Sequence, residues 1–352
     1  MIKPVPNIAS MSPYQLATLD SAYISLAQNE SAYPPSPKAI EAASVALASA
    51  YLYSDPDWTI LRAAIADVHR IDSQQIICGA GSMELIAALL HTYAGPEDDV
   101  LGTQYGYMFV KTACQQSGAT YIEAAEENYT VSVDNLLGSL TDDTCIVFVC
   151  NPGNPTGTRI ASADIVRLRN NLPENCLLIV DQAYGEFDLQ DHQDVFALVE
   201  RGNTVIVRTF SKAYCLAGMR VGWAYAPVGV VTELRKLLNP NNISNVALQM
   251  ATAAMKDQQY LQQVVTGTSK LRDDLREKLQ QAGMSLPESH TNFLLLPTAN
   301  ESAASTLDNK LKNGGFIARA MSGYGLGNCL RLTIGTNENM QQVSRVLLAS
   351  DD

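Results

Sequence analysis

Short apolar runs alternate with amphipathic segments through the middle of the chain. The apolar runs are rich in valine and isoleucine and lie at residues 75–78, 99–101, 120–122, 145–149, 177–180 and 204–207. Segments with helical spacing, such as Ser82–Tyr93 and Tyr107–Ser117, separate them. This alternation is typical of an α/β fold in which helices cover both faces of a mostly parallel sheet. In such sheets ligands bind beyond the carboxyl ends of the strands.

The pattern changes after about residue 245. A helical stretch runs from Val246 to about Gln281, and two apolar segments follow at Asn292–Leu296 and Cys329–Ile334. The sequence therefore predicts a large domain at residues 31–245 and a smaller α+β domain at 246–352. An N-terminal segment at residues 1–30 is predicted to pack on the smaller domain.

Composition and charge narrow the classes of partner. The 352 residues carry a formal net charge of −12. Nucleic acids and anionic membranes bind basic surfaces, so we expect neither as a partner. The seven cysteines show no CxxC spacing and the four histidines are isolated, which predicts reduced thiols and no metal site. Without an apolar signal segment or a run of membrane-spanning length, we expect a cytoplasmic protein.

Lys212 occupies an unusual sequence environment. It follows the apolar run Val205–Val207 and lies between Arg208 and Arg220. Burial and nearby cations disfavour the ammonium form of a lysine, and a neutral amine is what Schiff-base chemistry requires. Most lysines in such surroundings are structural or lie on the surface, so this interpretation depends on other motifs.

Polar groups also follow two other predicted strands. The turn Asn151–Gly157 holds two prolines and two glycines and presents the amide of Asn154. Asp181 ends the run 176–180, where a carboxylate is costly unless it meets a cation or donor. A protonated pyridine nitrogen would be such a partner, and Tyr184 could offer a phenol to the same ring. The alternatives are a plain tight turn and a helix N-cap aspartate.

A third motif, Gly79–Glu84, lies between a predicted strand and a predicted helix. Its glycines and Ser82 could present backbone N–H groups and a hydroxyl to a phosphate. A dinucleotide fingerprint would need a third glycine at Glu84, which disfavours nicotinamide cofactors. The glycine-rich stretch Gly323–Gly327 has no strand–helix context and is interpreted as a loop.

Three ordered motifs, at 151–157, 181–184 and 208–220, resemble those of fold-type I, pyridoxal-phosphate-dependent aminotransferases of class I/II. The chain is most similar to histidinol-phosphate aminotransferases, over nearly its whole length. The resemblance implies a large cofactor-binding domain with a mostly parallel mixed sheet and a smaller α+β domain. It also implies pyridoxal 5'-phosphate as cofactor and a homodimer with shared active sites.

The resemblance also assigns roles to individual residues. Lys212 would form the Schiff base and shuttle protons, Asp181 would pair with the pyridine nitrogen, and Asn154 and Tyr184 would bind the phenolic oxygen. Residues for the cofactor phosphate would be Gly81, Ser82, Met83, Thr209, Ser211 and Arg220. Tyr105 would stack on the ring, with Tyr107 as second choice, and Tyr53 would reach the phosphate in the neighbouring subunit. Arg331 would grip the substrate carboxylate, while Arg319 and Tyr14 would hold the donor phosphate.

The resemblance implies a transaminase that exchanges an amino group between a donor and 2-oxoglutarate. The donor implied by the resemblance is histidinol phosphate or an aromatic amino acid. Three features depart from the family pattern: Gln182 replaces an acidic residue, Met83 replaces an aspartate, and the segment Asn29–Pro35 is longer than usual. The alternatives are a decarboxylase similar to threonine-phosphate decarboxylases and, more remotely, a nicotinamide-dependent dehydrogenase.

Overall fold

The computed structural model describes residues 2–11, 22–189 and 193–349. Its strands are β1 (Ile24–Ser25), β2 (Ile76–Gly79), β3 (Asp99–Thr103), β4 (Thr120–Ala124), β5 (Thr144–Cys150), β6 (Leu177–Asp181), β7 (Thr204–Thr209), β8 (Gly222–Tyr225), β9 (Phe293–Pro297), β10 (Phe316–Ile317), β11 (Arg319–Ala320) and β12 (Cys329–Thr333). Its helices are α1 (Pro6–Ala9), α2 (Pro37–Leu47), α3 (Thr59–His69), α4 (Ser82–Tyr93), α5 (Met108–Ser117), α6 (Val133–Gly138), α7 (Ser162–Asn171), α8 (Gln193–Glu200), α9 (Val228–Leu237), α10 (Asn245–Lys256), α11 (Gln258–Gln281), α12 (Glu301–Asn313) and α13 (Asn337–Leu348).

A seven-stranded sheet forms the centre of the larger part of the molecule. Its strand order is β2-β8-β7-β6-β5-β3-β4, and β8 alone in this sheet runs antiparallel to its neighbours. Every residue of β6 and β7 is buried, as expected for central strands covered on both faces. The predicted mostly parallel mixed sheet is confirmed, because each apolar run found in the sequence forms one of its strands.

The helical stretch predicted from Val246 to Gln281 is two helices rather than one. The break falls at Asp257, whose backbone leaves the helical region (φ −93°, ψ 61°). Its carboxylate accepts hydrogen bonds from Ser36 Oγ at 2.6 Å and Lys38 Nζ at 2.9 Å, near the start of α2. These partners, far away in sequence, stabilise the break.

The two helices belong to different hydrophobic cores. Residues of α10 such as Leu248 and Met255 are buried in the core of the seven-stranded sheet. In α11, Leu275 and Leu279 are buried in a second core with β9 and β12. We therefore propose a domain boundary within α11 instead of after residue 245.

The smaller part contains the antiparallel sheet β11-β12-β9 and the parallel pair β1–β10. The N-terminal segment contacts both parts of the molecule. Leu26, just after β1, is buried in the second core, whereas Asn7 Nδ2 in α1 donates to the carbonyl of Gln116 in α5 at 2.8 Å. Throughout the described ranges, no helix is long and apolar enough to cross a membrane.

Candidate active site

A cavity of about 430 Å³ opens at the carboxyl ends of β5, β6 and β7, against the smaller part of the molecule. The larger part contributes these residues predicted from sequence: Ser82, Met83, Asn154, Asp181, Tyr184, Thr209, Ser211, Lys212 and Arg220. From the smaller part come Arg319 and Arg331. The parallel register of the three central strands explains this convergence, because it brings their ends to one edge of the sheet.

Asp181 is a buried carboxyl at the end of β6. Its Oδ1 accepts a hydrogen bond from the backbone N–H of Ala183 at 3.0 Å. Burial raises the pKa of Asp181 to about 7, against the opposing effects of that hydrogen bond and of the positive charge on Lys212. A buried carboxyl of this kind is stabilised as an anion by a cationic hydrogen-bond donor.

Lys212 is half-buried beyond the end of β7 and points at the N-terminal segment. Its Nζ donates to the carbonyl oxygens of Asn29 at 2.9 Å and Gln28 at 3.3 Å. Burial, together with the charges of Arg331 and Arg220, lowers the pKa of Lys212 to about 7, while Glu30 and Asp181 oppose the shift. A neutral amine is therefore accessible near neutral pH, as the sequence predicted.

The start of α4 forms a cradle for an anion. Gly81 precedes the helix with φ 86°, and a Cβ at this position would collide with the guanidinium of Arg220. Arg220 Nη1 donates to Ser211 Oγ at 3.2 Å, and Thr209 Oγ1 donates to the same oxygen at 3.0 Å. A helix N-terminus, a guanidinium and two hydroxyls form the donor set that a phosphate group requires.

Two arginines of the smaller part lie on neighbouring strands at the other side of the cavity. Arg319 of β11 is directly opposite Arg331 of β12 in the antiparallel register. Arg331 is buried, and its Nη1 donates to Asn154 Oδ1 at 2.6 Å while its Nη2 donates to the carbonyl of Ala27 at 2.9 Å. These bonds join the turn after β5, the N-terminal segment and β12.

The placement of the other four predicted tyrosines differs from case to case. Tyr107 lines the cavity, whereas the Tyr105 ring packs beside Tyr129 at a centroid distance of 6.2 Å. Of the two, Tyr107, the second choice, is the one in the cavity wall, while Tyr105 packs against a neighbouring apolar cluster. Tyr53 is 91% exposed on the outer surface. Tyr14 lies outside the described residues.

Some residues of the cavity wall escaped the sequence interpretation. Asn29 and Glu30 line it, although the only unusual feature of their segment in the sequence is its length. Tyr324 also lines it and belongs to the glycine-rich stretch Gly323–Gly327. That stretch carries no signal for a site, because its nearness to the cavity depends on the pairing of β11 with β12.

Gln182, which replaces an acidic residue of the family pattern, takes part in a buried network with a charged pair. Its Oε1 accepts from Nε and Nη2 of Arg208 at 3.1 and 2.8 Å. Glu186 supplies the neighbouring anion, with its Oε1 at 3.3 Å from Arg208 Nη1. A neutral amide thus replaces the acidic partner beside a buried arginine that retains one carboxylate.

Across the three described ranges, no group of three or more His, Cys, Asp or Glu residues could hold a metal ion.

The fold and the cavity define a class of protein that comparison with known proteins identifies. Residues 21–347 match the family described as Aminotransferase class I and II, and the chain belongs to this family. A histidinol-phosphate aminotransferase of Ruegeria sp. (strain TM1040) is 41% identical over 338 residues, covering 95% of this chain and 93% of that protein. One of Jannaschia sp. (strain CCS1) is 40% identical over 353 residues, covering 99% of this chain and 98% of that protein.

Solved structures share the fold along nearly the whole chain. The histidinol-phosphate aminotransferase from Sinorhizobium meliloti, in complex with pyridoxal-5'-phosphate, has a TM-score of 0.90 at 24% identity and covers 99% of this chain and 97% of that chain. A Thermus thermophilus aspartate aminotransferase mutant has a TM-score of 0.84 at 18% identity, covering 99% of both chains. The predictions of a fold-type I aminotransferase, of transaminase activity and of pyridoxal phosphate as cofactor are confirmed at the level of the family.

Proposed function

We propose that this aminotransferase takes its amino group from histidinol phosphate and transfers it to 2-oxoglutarate. The names of the relatives at 41% and 40% identity support this donor. The observation that carries the proposed site is the placement of Lys212 and Asp181 in one cavity with the anion cradle of Arg220. Chemically, the cavity pairs an accessible amine with a buried acid beside a place for a phosphate.

The residues present fit pyridoxal phosphate. Gly81 leaves room for the Arg220 guanidinium at the start of α4, where the cofactor phosphate would bind with Ser82, Thr209 and Ser211. Met83 would contribute its backbone N–H in the first turn of the helix. The bound cofactor supplies an electron-withdrawing ring that stabilises negative charge on the amino-bearing carbon.

The chain's own groups would supply binding and proton transfer. Asp181 would accept a hydrogen bond from the protonated ring nitrogen, which offsets the cost of burying its carboxylate. Asn154 and Tyr184 would donate hydrogen bonds to the phenolic ring oxygen, and the Tyr107 ring would pack on the cofactor face. Lys212 Nζ would take the proton from the substrate carbon and deliver it to the C4′ carbon of the cofactor. Its lowered pKa lets the amine act as a base near neutral pH.

Arg331 and Arg319 would select substrates by their anionic groups. Guanidinium groups bind carboxylates and phosphates through two parallel hydrogen bonds. Arg331 is buried beside Asn154, close to the reacting centre, and would hold the carboxylate of the oxo acid. Arg319, together with Tyr14, would hold the phosphate of the donor.

We further propose a homodimer in which Tyr53 completes the site of the partner. Tyr53 is 91% exposed, and its neighbours Tyr51 and Leu52 are 84% and 58% exposed. The nearby α2 residues Val45 and Leu47 are 72% and 61% exposed. Such a concentration of apolar surface is typical of an interface.

The shared site can be tested by mixing Lys212→Ala chains with Tyr53→Ala chains. In the mixed dimers one site would have both residues intact, so about a quarter of all sites should regain wild-type geometry. Activity no higher than that of either variant alone would contradict the shared site.

The function is tested by adding candidate donors to the purified holoenzyme and following the conversion of bound cofactor to its amine form. Histidinol phosphate should convert it faster than phenylalanine, tyrosine or threonine phosphate, and 2-oxoglutarate should reverse the change without release of carbon dioxide. Lys212→Ala should lose turnover, whereas the exposed Lys270→Ala should retain it. Normal turnover by Lys212→Ala, or carbon dioxide as the product, would refute the scheme.

A further inference from the structure

Asn29 connects groups that act at different points of the cavity. Its side-chain Nδ2 donates to the hydroxyl oxygen of Tyr184 at 2.7 Å, and its backbone carbonyl accepts from Lys212 Nζ at 2.9 Å. The same residue bonds twice to Thr333 at the end of β12: its N–H donates to Thr333 Oγ1 at 3.0 Å, and its Oδ1 accepts from that hydroxyl at 3.2 Å. Asn29 is only 2% exposed.

These bonds fix the direction of the Tyr184 hydroxyl. The single hydroxyl hydrogen of Thr333 points to Oδ1 of Asn29, which leaves the Nδ2 side of the amide facing Tyr184. The phenol oxygen is therefore an acceptor in this contact, and its own hydrogen is available to point into the cavity that Tyr184 lines. Burial raises the pKa of Tyr184, while the Arg331 charge and the Asn29 hydrogen bond lower it.

The backbone at Asn29 suits this arrangement. Its φ is 56°, in the left-handed region, where asparagine is one of the few favoured residues other than glycine. The side chain and the carbonyl of one residue consequently serve Tyr184 and Lys212 together. Thr333 lies two residues after Arg331 on β12. Asn29 therefore connects this strand to Tyr184 and Lys212.

We propose that Asn29 is a positioning residue that directs the Tyr184 hydroxyl hydrogen toward the cofactor's ring oxygen and holds Lys212 Nζ beside it. This inference rests on the proposed function and extends it to a residue that acts through Tyr184 and Lys212. When the hydrogen bond from Tyr184 is lost, the ring oxygen becomes more basic. A proton that this oxygen shares with Lys212 Nζ would then be released only at a higher pH.

The test is a pH titration of the visible absorbance of the bound cofactor in the holoenzyme. Asn29→Gly removes the side chain but keeps the left-handed backbone at no steric cost. Its absorbance transition should move to higher pH by about half a unit to one unit, the size expected for one hydrogen bond. Asn29→Asp, which accepts from Tyr184 instead of donating, should move it further in the same direction. Thr333→Val should produce a smaller shift of the same sign.

A double-variant comparison separates positioning from general damage. Tyr184→Phe should shift the transition at least as far, and adding Asn29→Gly to it should add little. The other ionisable groups around Tyr184 and Lys212 (Arg331, Arg220, Asp181, Glu30 and Cys150) are unchanged in these variants. An unchanged transition in both Asn29 variants, or additive shifts with Tyr184→Phe, would overturn the inference. If the wild-type protein shows no cofactor absorbance at all, the proposed function itself fails.

Discussion

The two sides of the cavity are assembled in different ways. The strand-end side, formed by Asn154, Asp181 and Lys212, comes from short motifs that directly follow three neighbouring parallel strands. The seam side, formed by residues 27–30, Arg319 and Arg331, is assembled from segments up to 304 positions apart in sequence. The first side presents the proposed reactive groups, and the second presents the two arginines proposed to bind the anionic groups of the substrates.

Because of this difference, substitutions on the strand-end side should affect all substrates, and substitutions on the seam side should affect particular ones. A strand-end residue is held by the register of the buried sheet and would act on every substrate. A seam residue depends on contacts between the smaller part of the molecule and the N-terminal segment, so it would discriminate among substrates. Substitutions on each side test that contrast.

The largest effect is expected for Asp181→Asn. An amide cannot match the charge of a protonated ring nitrogen, so kcat/KM should fall about a hundredfold or more with every donor and acceptor. Steady-state kinetics with two donors and two oxo acids would measure this loss. A loss confined to one substrate would contradict the expected difference between the two sides of the cavity.

The same variant has a pH-dependent effect on the stability of the cofactor-free protein. The pKa of Asp181 in the folded state is about 7, above its ordinary value of 3.8, so the folded state retains a proton that the unfolded state loses between these values. Stability from this group is therefore lost as pH rises through that window. Asp181→Asn should gain melting temperature relative to wild type between pH 5 and pH 8; an identical difference at both pH values would count against the raised pKa.

Intermediate, selective effects are expected for the two arginines. Arg331→Lys keeps the charge but loses the planar fork, and should raise KM for the oxo acid about tenfold or more. Arg319→Lys should instead raise KM chiefly for the phosphorylated donor. The exposed Arg201→Lys is the matched control and should change neither constant. If Arg331→Lys and Arg319→Lys raised KM equally for the oxo acid and the donor, separate roles for the two arginines would be contradicted.

The smallest effect is expected for the tyrosine pair. Tyr107→Ala should weaken cofactor binding several-fold, because the ring that lines the cavity is lost. Tyr105→Ala should change it less, since this ring packs beside Tyr129. The dissociation constant of pyridoxal phosphate for each apo variant provides the measurement, and a larger loss with Tyr105→Ala would restore the first choice made from the sequence.

Much of the strand-end side could be predicted from the sequence. Continuous apolar runs mark β5, β6 and β7, and the polar residue after each run marks the end where ligands bind. The motifs around Asn154, Asp181 and Lys212 are contiguous, so their chemistry is readable without knowledge of tertiary contacts. Six of the seven strands and these three positions follow from local information, whereas no apolar run marks the antiparallel strand β8.

The seam side could not be predicted in the same way. The bond between Asn29 and Tyr184 joins residues 155 positions apart, and no local pattern encodes it. The helix break at Asp257 likewise depends on Ser36, 221 positions away. Choosing between Tyr105 and Tyr107 was equally beyond the sequence, since both lie in one turn and only packing separates them.

The exposure of Tyr53 has a consequence for how the enzyme behaves at low abundance. If this tyrosine completes the cofactor site of the partner, dissociation of the dimer would release cofactor as well as separate the chains. Cofactor affinity would then fall as the protein is diluted, and free cofactor would in turn favour association. The cell's supply of one vitamin-derived molecule would thereby influence the assembly state of the enzyme.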